Sequence, residues 1–109
     1  MCAKTSTSVV NVKSVGWDVD EYIGRGNSGK NHLNNTDVGE SGWLGNPYVV
    51  GKDGSRMETI RKYGRDFIER IVNDDEFAEA VRELEGKTLG CWCKPKDCHG
   101  DVIAEFLNK

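Results

Sequence analysis

The chain has 109 residues, of which 37% are hydrophobic and 30% charged, and its formal net charge is −3. That length fits one domain, residues 1–109, with a modest core, and the composition is that of an ordinary globular protein rather than a disordered one. No apolar run reaches the roughly 18 residues of a membrane span, and the acidic balance speaks against a protein that coats duplex nucleic acid with a dense Lys/Arg face.

The opening residues "MCAKTSTSVV" lack the apolar stretch of a secretory signal, so the expected location is the cytoplasm. Ser8 to Lys13, "SVVNVK", is β-branched and predicts a first strand; "EYI" at 21–23 predicts a short second one. From Gly24 to Pro47 there is no apolar periodicity, only six glycines, five asparagines and isolated apolar residues. A loop that long inside a small domain is commonly functional or disordered.

Part of it, "YIGRGNSGKN" (22–31), is one residue from a phosphate-binding P-loop: Gly24, four residues, Gly29, Lys30, then Asn31 in place of Ser or Thr. Gly24, Gly26 and Gly29 also spell a dinucleotide fingerprint. Both motifs work by delivering a glycine turn to the start of a long helix, whose N–H groups and dipole meet the phosphates. The residues after Lys30, "NHLNNTDVGESG", are poor helix formers. A surface loop with glycines at positive φ is therefore expected, although Gly24, Arg25 and Gly26 follow a strand end where α/β sheets bind ligands.

"YVV" at 48–50 predicts a third strand. Ser55 and Glu58 form a capping box opening a helix with Ile60, Tyr63, Phe67, Ile68 and Ile71 on one face. Asp74 or Asp75 caps a second helix carrying Phe77, Val81 and Leu84, which Gly86 ends. "KTLGCWC" (87–93) predicts a fourth strand, with Cys91 and Cys93 on one face and Trp92 as a core residue on the other. Asp97 then caps a last helix that buries Val102, Ile103, Phe106 and Leu107. The expected fold is α/β: one small sheet of about four strands with about three helices, in the order β-β-β-α-α-β-α.

Three of the four cysteines lie in "CWCKPKDCHGD", residues 91–101. Clustering of this kind is not a spread disulfide framework; it points to a metal site, a reactive thiol or buried packing. Cys91, Cys93, Cys98 and His99 are the right ligand types for zinc, but C-x-C is not the usual zinc spacing. As a catalytic set, Cys98 would be a nucleophile at a helix N-terminus with His99 and Asp101 beside it. As an anion site, N–H groups of residues 98–100 would grip the ligand, with Lys94 and Lys96 adding charge. Arg25 offers a planar fork for a phosphate, and Trp43 either a face for a base or a core residue.

"YIGR", "LGNPYVVGKDGSRMETIRKY" and "LGCWCKPKDCHGDVIAEFL" together resemble a family of small phage and bacterial proteins with the signature C-W-C-x-P-x-x-C-H-G-D, classified as a domain of unknown function. The resemblance covers most of the chain from Tyr22 and implies no activity. It groups Gly24 and Arg25, the Gly45-Asn46-Pro47 corner and the Cys93–Asp101 turn. A phage-type protein of this size in a host cytoplasm is expected to bind, and by binding sequester, a nucleotide-derived anionic small molecule. The site would comprise Gly24, Arg25, Gly26, Trp43, Gly45, Asn46, Cys93, Lys94, Cys98, His99, Gly100 and Asp101, with no cofactor. Two alternatives stay open: a small nucleotide- or nucleoside-processing enzyme using Cys98, His99 and Asp101, and a zinc-stabilised interaction module. A homodimer is a further way for so small a chain to enclose a ligand.

Overall fold

The computed structural model describes residues 7–16, 19–92 and 98–108. Three strands, β1 (Ser8–Asn11), β2 (Glu21–Tyr22) and β3 (Thr88–Cys91), form one parallel sheet in the order β1-β3-β2. Val9 and Glu21 both register against Leu89, and Val10 and Tyr22 against Gly90. A central parallel strand is covered on both faces, and accordingly Leu89, Gly90 and Cys91 are all buried. Any side chain at position 90 would come within 2.7 Å of Val12 and 2.8 Å of Val19.

Between β2 and β3 lie two helices, α2 (Arg56–Asn73) and α3 (Asp75–Arg82); the preceding α1 (Val12–Val15) is a single turn, and α4 (Gly100–Asn108) ends the chain. The starts of α2 and α3 are those the sequence predicts. Ser55 and Glu58 close the predicted capping box, with Ser55 N donating to Glu58 Oε1 at 2.9 Å and Glu58 N to Ser55 Oγ at 3.2 Å. Asp74 accepts from Phe77 N at the start of α3. The predicted α/β class holds.

Three expectations need correction. Residues 48–50 are not a strand: Val49 and Val50 are 36% and 49% exposed, and side chains replace a ladder, Asn46 Oδ1 accepting from Tyr48 N and Asp53 Oδ2 from Val49 N. The first strand stops at Asn11, because the Asn11 side chain accepts from Lys13 N at 2.7 Å and starts the α1 turn. The last strand stops at Cys91, so Trp92 lies beyond the sheet and is 51% exposed rather than core.

Nor is the long 24–47 segment a detached surface loop. Its isolated apolar residues Leu33, Trp43 and Leu44 are core members. Leu33 N donates to Gly45 O at 2.9 Å, and Tyr63 Oη donates to Leu44 O at 2.8 Å. From α2, Arg70 Nη1 donates to Leu33 O at 2.7 Å and Thr36 O at 3.1 Å, while its guanidinium lies 4.4 Å from the Phe77 ring centroid. An edge-to-face series of rings, Trp43–Phe77–Phe67–Phe106, runs through the core from loop to α4.

Candidate functional site

Because all three strands are parallel, their carboxyl ends fall on one edge of the sheet, the edge where α/β domains place ligands. A cleft of about 580 Å³ opens there. It takes Tyr22, Gly24 and Arg25 from the exit of β2, Cys91 and Trp92 from the exit of β3, and Cys98 and His99 from the start of α4. Asn46, Tyr48, Val49 and Val50 enclose it on the loop side, and Arg56, Thr59 and Ile60 of α2 complete it.

Of the sequence-predicted residues, Gly24, Arg25, Asn46, Cys98 and His99 therefore meet in one place. Gly26, Gly45, Gly100 and Asp101 do not line the cleft; Gly100 and Asp101 bond to the lining residue Cys98, and Gly26 pairs with Asn31. Gly45 lets the Arg25 backbone pass, since a Cβ at 45 would lie 2.8 Å from Arg25 Cα. Trp43 is only 4% exposed and donates from Nε1 to Glu21 Oε2 at 3.2 Å, which makes it a core residue away from the cleft. Cys93, Lys94, Lys96 and Asp97 lie outside the described residues.

The motif at 24–31 forms no P-loop. Gly26 and Asn31 pair as an antiparallel bridge, closed by a single 3₁₀ turn over Asn27–Gly29, and no helix follows before Arg56. Asn27 and Ser28 hold left-handed φ values of 50° and 55°, and Ser28 with Gly29 borders the cleft mouth.

At the cleft floor, His99 is 7% exposed. Its Nε2 lies 2.7 Å from Ile23 O, and since a carbonyl only accepts, Nε2 carries the proton. Nδ1 is then the lone-pair nitrogen, 3.7 Å from Cys98 Sγ, so the thiol donates to it. Burial, aided by the nearby Arg25 charge, pushes the His99 pKa down to about 4, while the Ile23 hydrogen bond and Asp101 pull the other way. The imidazole is neutral at physiological pH.

"CHGD" is itself a capping arrangement. Cys98 N donates to Asp101 Oδ2 at 3.0 Å, and Gly100 N donates to Cys98 Sγ at 3.4 Å. Cysteine thus stands where Ser55 stands in the α2 box, and Asp101 where Glu58 does. The N–H groups of Cys98 and Gly100 already have acceptors, so the cationic part of the cleft rests on Arg25 and Arg56 rather than on the helix end. A Ser/Thr-x-x-Asp/Glu pattern read with Cys in the first place would have found this cap in the sequence.

Arg25 is exposed, lines the cleft, and among the described residues has no hydrogen bond or ion pair. Arg56 lines the opposite, α2 side. Among the described residues no group of three His, Cys, Asp or Glu side chains is placed to hold a metal. The zinc set includes Cys93, outside those residues, and His99 Nε2 is engaged by Ile23. No described helix is long and apolar enough to cross a membrane.

A second cavity, about 690 Å³, lies between the long loop and α2, lined by Asn34, Asp66, Glu69 and Arg70 among others. Burial pushes the Asp66 carboxyl up, but hydrogen bonds from Tyr48, Asn34 and Arg65 outweigh it and hold the pKa below the usual range. Asn34 and Tyr48 both donate to Asp66 there, and Tyr48 forms a wall common to both cavities.

A relative from Enterobacteria phage T4, described as an uncharacterized 12.4 kDa protein in the nrdA-td intergenic region, is 48% identical over 61 residues, 55% of this chain. The chain spans only 56% of that relative's own length. An uncharacterized protein of Acanthamoeba polyphaga mimivirus is 30% identical over 104 residues, covering 88% of this chain and 72% of the relative. No solved structure matches significantly. Residues 10–109 match the family described as domain of unknown function DUF4326, and the chain belongs to it.

Proposed function

We propose that this chain binds, and by binding sequesters, a nucleotide-derived anionic small molecule in the cleft at the carboxyl edge of the sheet, acting in the cytoplasm of a virus-infected host. The observation that carries this reading is Arg25: an exposed guanidinium in a concave site, without a hydrogen bond or ion pair among the described residues, facing a cleft that also holds Arg56 and the exposed ring of Trp92. A planar cation in that setting suits a phosphate, and the flanking Tyr22, Tyr48 and Trp92 rings suit the rest of a nucleotide. Phage and giant-virus relatives support the setting.

Binding without turnover is favoured because Asp101 is occupied by the α4 cap and burial, which lowers the His99 pKa to about 4, leaves the imidazole a weak base. The test is native mass spectrometry of protein mixed with a host small-molecule extract, then of the same sample denatured. A stoichiometric ligand released unaltered supports sequestration; catalytic loss of the ligand overturns it.

One observation favours an enzyme as the second reading. The Cys98 thiol and the lone-pair nitrogen of His99 face each other at 3.7 Å on the cleft floor, the relation a thiol nucleophile needs with its base. That reading requires turnover that Cys98→Ser abolishes.

A further inference from the structure

On sequence grounds Trp43 is either a stacking face or a core residue, and it is packed edge-on against Phe77 in the core. Trp92 is different. Its ring is half-exposed on the cleft wall, yet it is tied at two points: Nε1 donates to Tyr22 Oη at 2.8 Å, and its carbonyl accepts from Asn11 Nδ2 at 3.2 Å. With the indole N–H directed at Tyr22, what the residue presents to the cleft is π surface.

Tyr22 is itself stationed by the glycine two residues on. A Cβ at position 24 would run into the ring and hydroxyl of Tyr22, so only glycine lets that ring lie back over the chain and reach Trp92. The opening "YIGR" is thus a device in which Tyr22 sets an aromatic wall, Gly24 makes room for it and Arg25 supplies a cation to the same cleft. Val49, Val50 and Ile60 add apolar surface there.

We propose that Trp92 is the platform on which a planar heteroaromatic base of the ligand stacks, with Tyr22 as its positioning residue, while Arg25 takes the anionic end. This rests on the reading of the cleft as a site for a nucleotide-derived anion. An indole face reads the π surface of a base rather than its hydrogen-bonding edge, so purine and pyrimidine ligands are both accepted.

The test measures affinities of ADP, UDP and inorganic diphosphate by calorimetry for the wild type and for Trp92→Ala, Trp92→Phe, Tyr22→Phe and Arg25→Ala, each checked for folding by thermal melting. Trp92→Ala is expected to weaken ADP and UDP by roughly 5- to 100-fold, the effect of losing one base–aromatic stack, and to leave diphosphate within about twofold. Trp92→Phe recovers part of the loss, Tyr22→Phe weakens the nucleotides alone, and Arg25→Ala weakens all three probes. ADP also quenches tryptophan fluorescence in the wild type, and Trp92→Phe removes that quench while still binding.

Equal loss for nucleotides and diphosphate in Trp92→Ala, or no loss for either, overturns the platform while leaving the anion site standing. Diphosphate binding as tight as ADP in the wild type does the same. Failure of the wild type to bind any of the three probes overturns the reading of the cleft and the platform with it.

Discussion

His99 and Ile23, 76 positions apart, are joined by a 2.7 Å hydrogen bond from imidazole Nε2 to main-chain carbonyl. The bond fastens the first turn of α4 to the exit of β2, and it fixes which ring nitrogen faces Cys98. Because burial holds the folded-state pKa near 4 against 6.5 for a free histidine, the unfolded chain takes up a proton here before the folded one does. Stability from this group is therefore present above pH 6.5 and lost as pH falls from 6.5 towards 4, by at most about 3 kcal/mol. Urea denaturation across that range should show the wild type losing more stability than His99→Gln, whose amide can still donate to Ile23. Parallel pH curves for the two proteins would refute the assignment. An anion neutralising Arg25 should raise the His99 pKa, read by NMR titration of the ring.

Cys98 and Asp101 should behave as a cap. Asp101→Ala and Cys98→Ala are each expected to destabilise by about 0.5–2 kcal/mol. Cys98→Ser should cost less, because a hydroxyl can accept from Gly100 N and donate to His99 Nδ1. Thermal melts of the three variants check the order; a serine variant as unstable as the alanine one would remove the thiol from the cap.

Arg25→Ala should leave the melting temperature near that of the wild type, since the side chain holds nothing else in place among the described residues. Ligand affinity should fall by about 1.5–3 kcal/mol, the worth of a charge-assisted hydrogen bond. Calorimetry with whichever nucleotide the cleft captures reads this directly, and an unchanged affinity takes Arg25 out of the site.

Arg70→Met should do the reverse. It removes the donor to Leu33 O and Thr36 O and the cation above Phe77, so a loss of about 2–3 kcal/mol is expected from two charge-assisted bonds partly offset by the retained apolar stem. Amide hydrogen exchange should rise around Leu33 and Gly45. Faster exchange confined to α2 instead would show that Arg70 does not clamp the loop.

Local chemistry was legible wherever a residue acts on its own neighbours. Ser55 with Glu58 and Asp74 with Phe77 act within one helical turn, and the sequence pattern names them. What could not be read depends on partners far along the chain. Tyr48–Val50 has strand composition, but it pairs with no strand among the described residues, and the Tyr48 hydroxyl is instead held by Asp66 and Arg65 of α2. Leu33, Trp43 and Leu44 lack periodicity, and their burial is set by Arg70, Tyr63 and Phe77 on helices that come later. The candidate site was half legible for the same reason: Arg25 and His99 announce themselves by residue type, whereas Trp92 is exposed because β3 ends at Cys91 and Trp43 is buried because it packs on the later Phe77.

The strand order also governs when the molecule comes into being. β1 and β2 are each bonded to β3 and not to one another, so neither has a sheet partner until Thr88–Cys91 is inserted between them. Folding must wait for contacts some 70 to 80 residues apart, which makes it slower than that of a helical bundle of equal size. On the ribosome the tyrosine-arginine half of the cleft emerges early but has nothing to close against until the last strand and α4 are synthesised. A message cut short before Thr88 leaves β1 and β2 without the strand that joins them, and the cleft takes shape only once β3 and α4 have joined the fold.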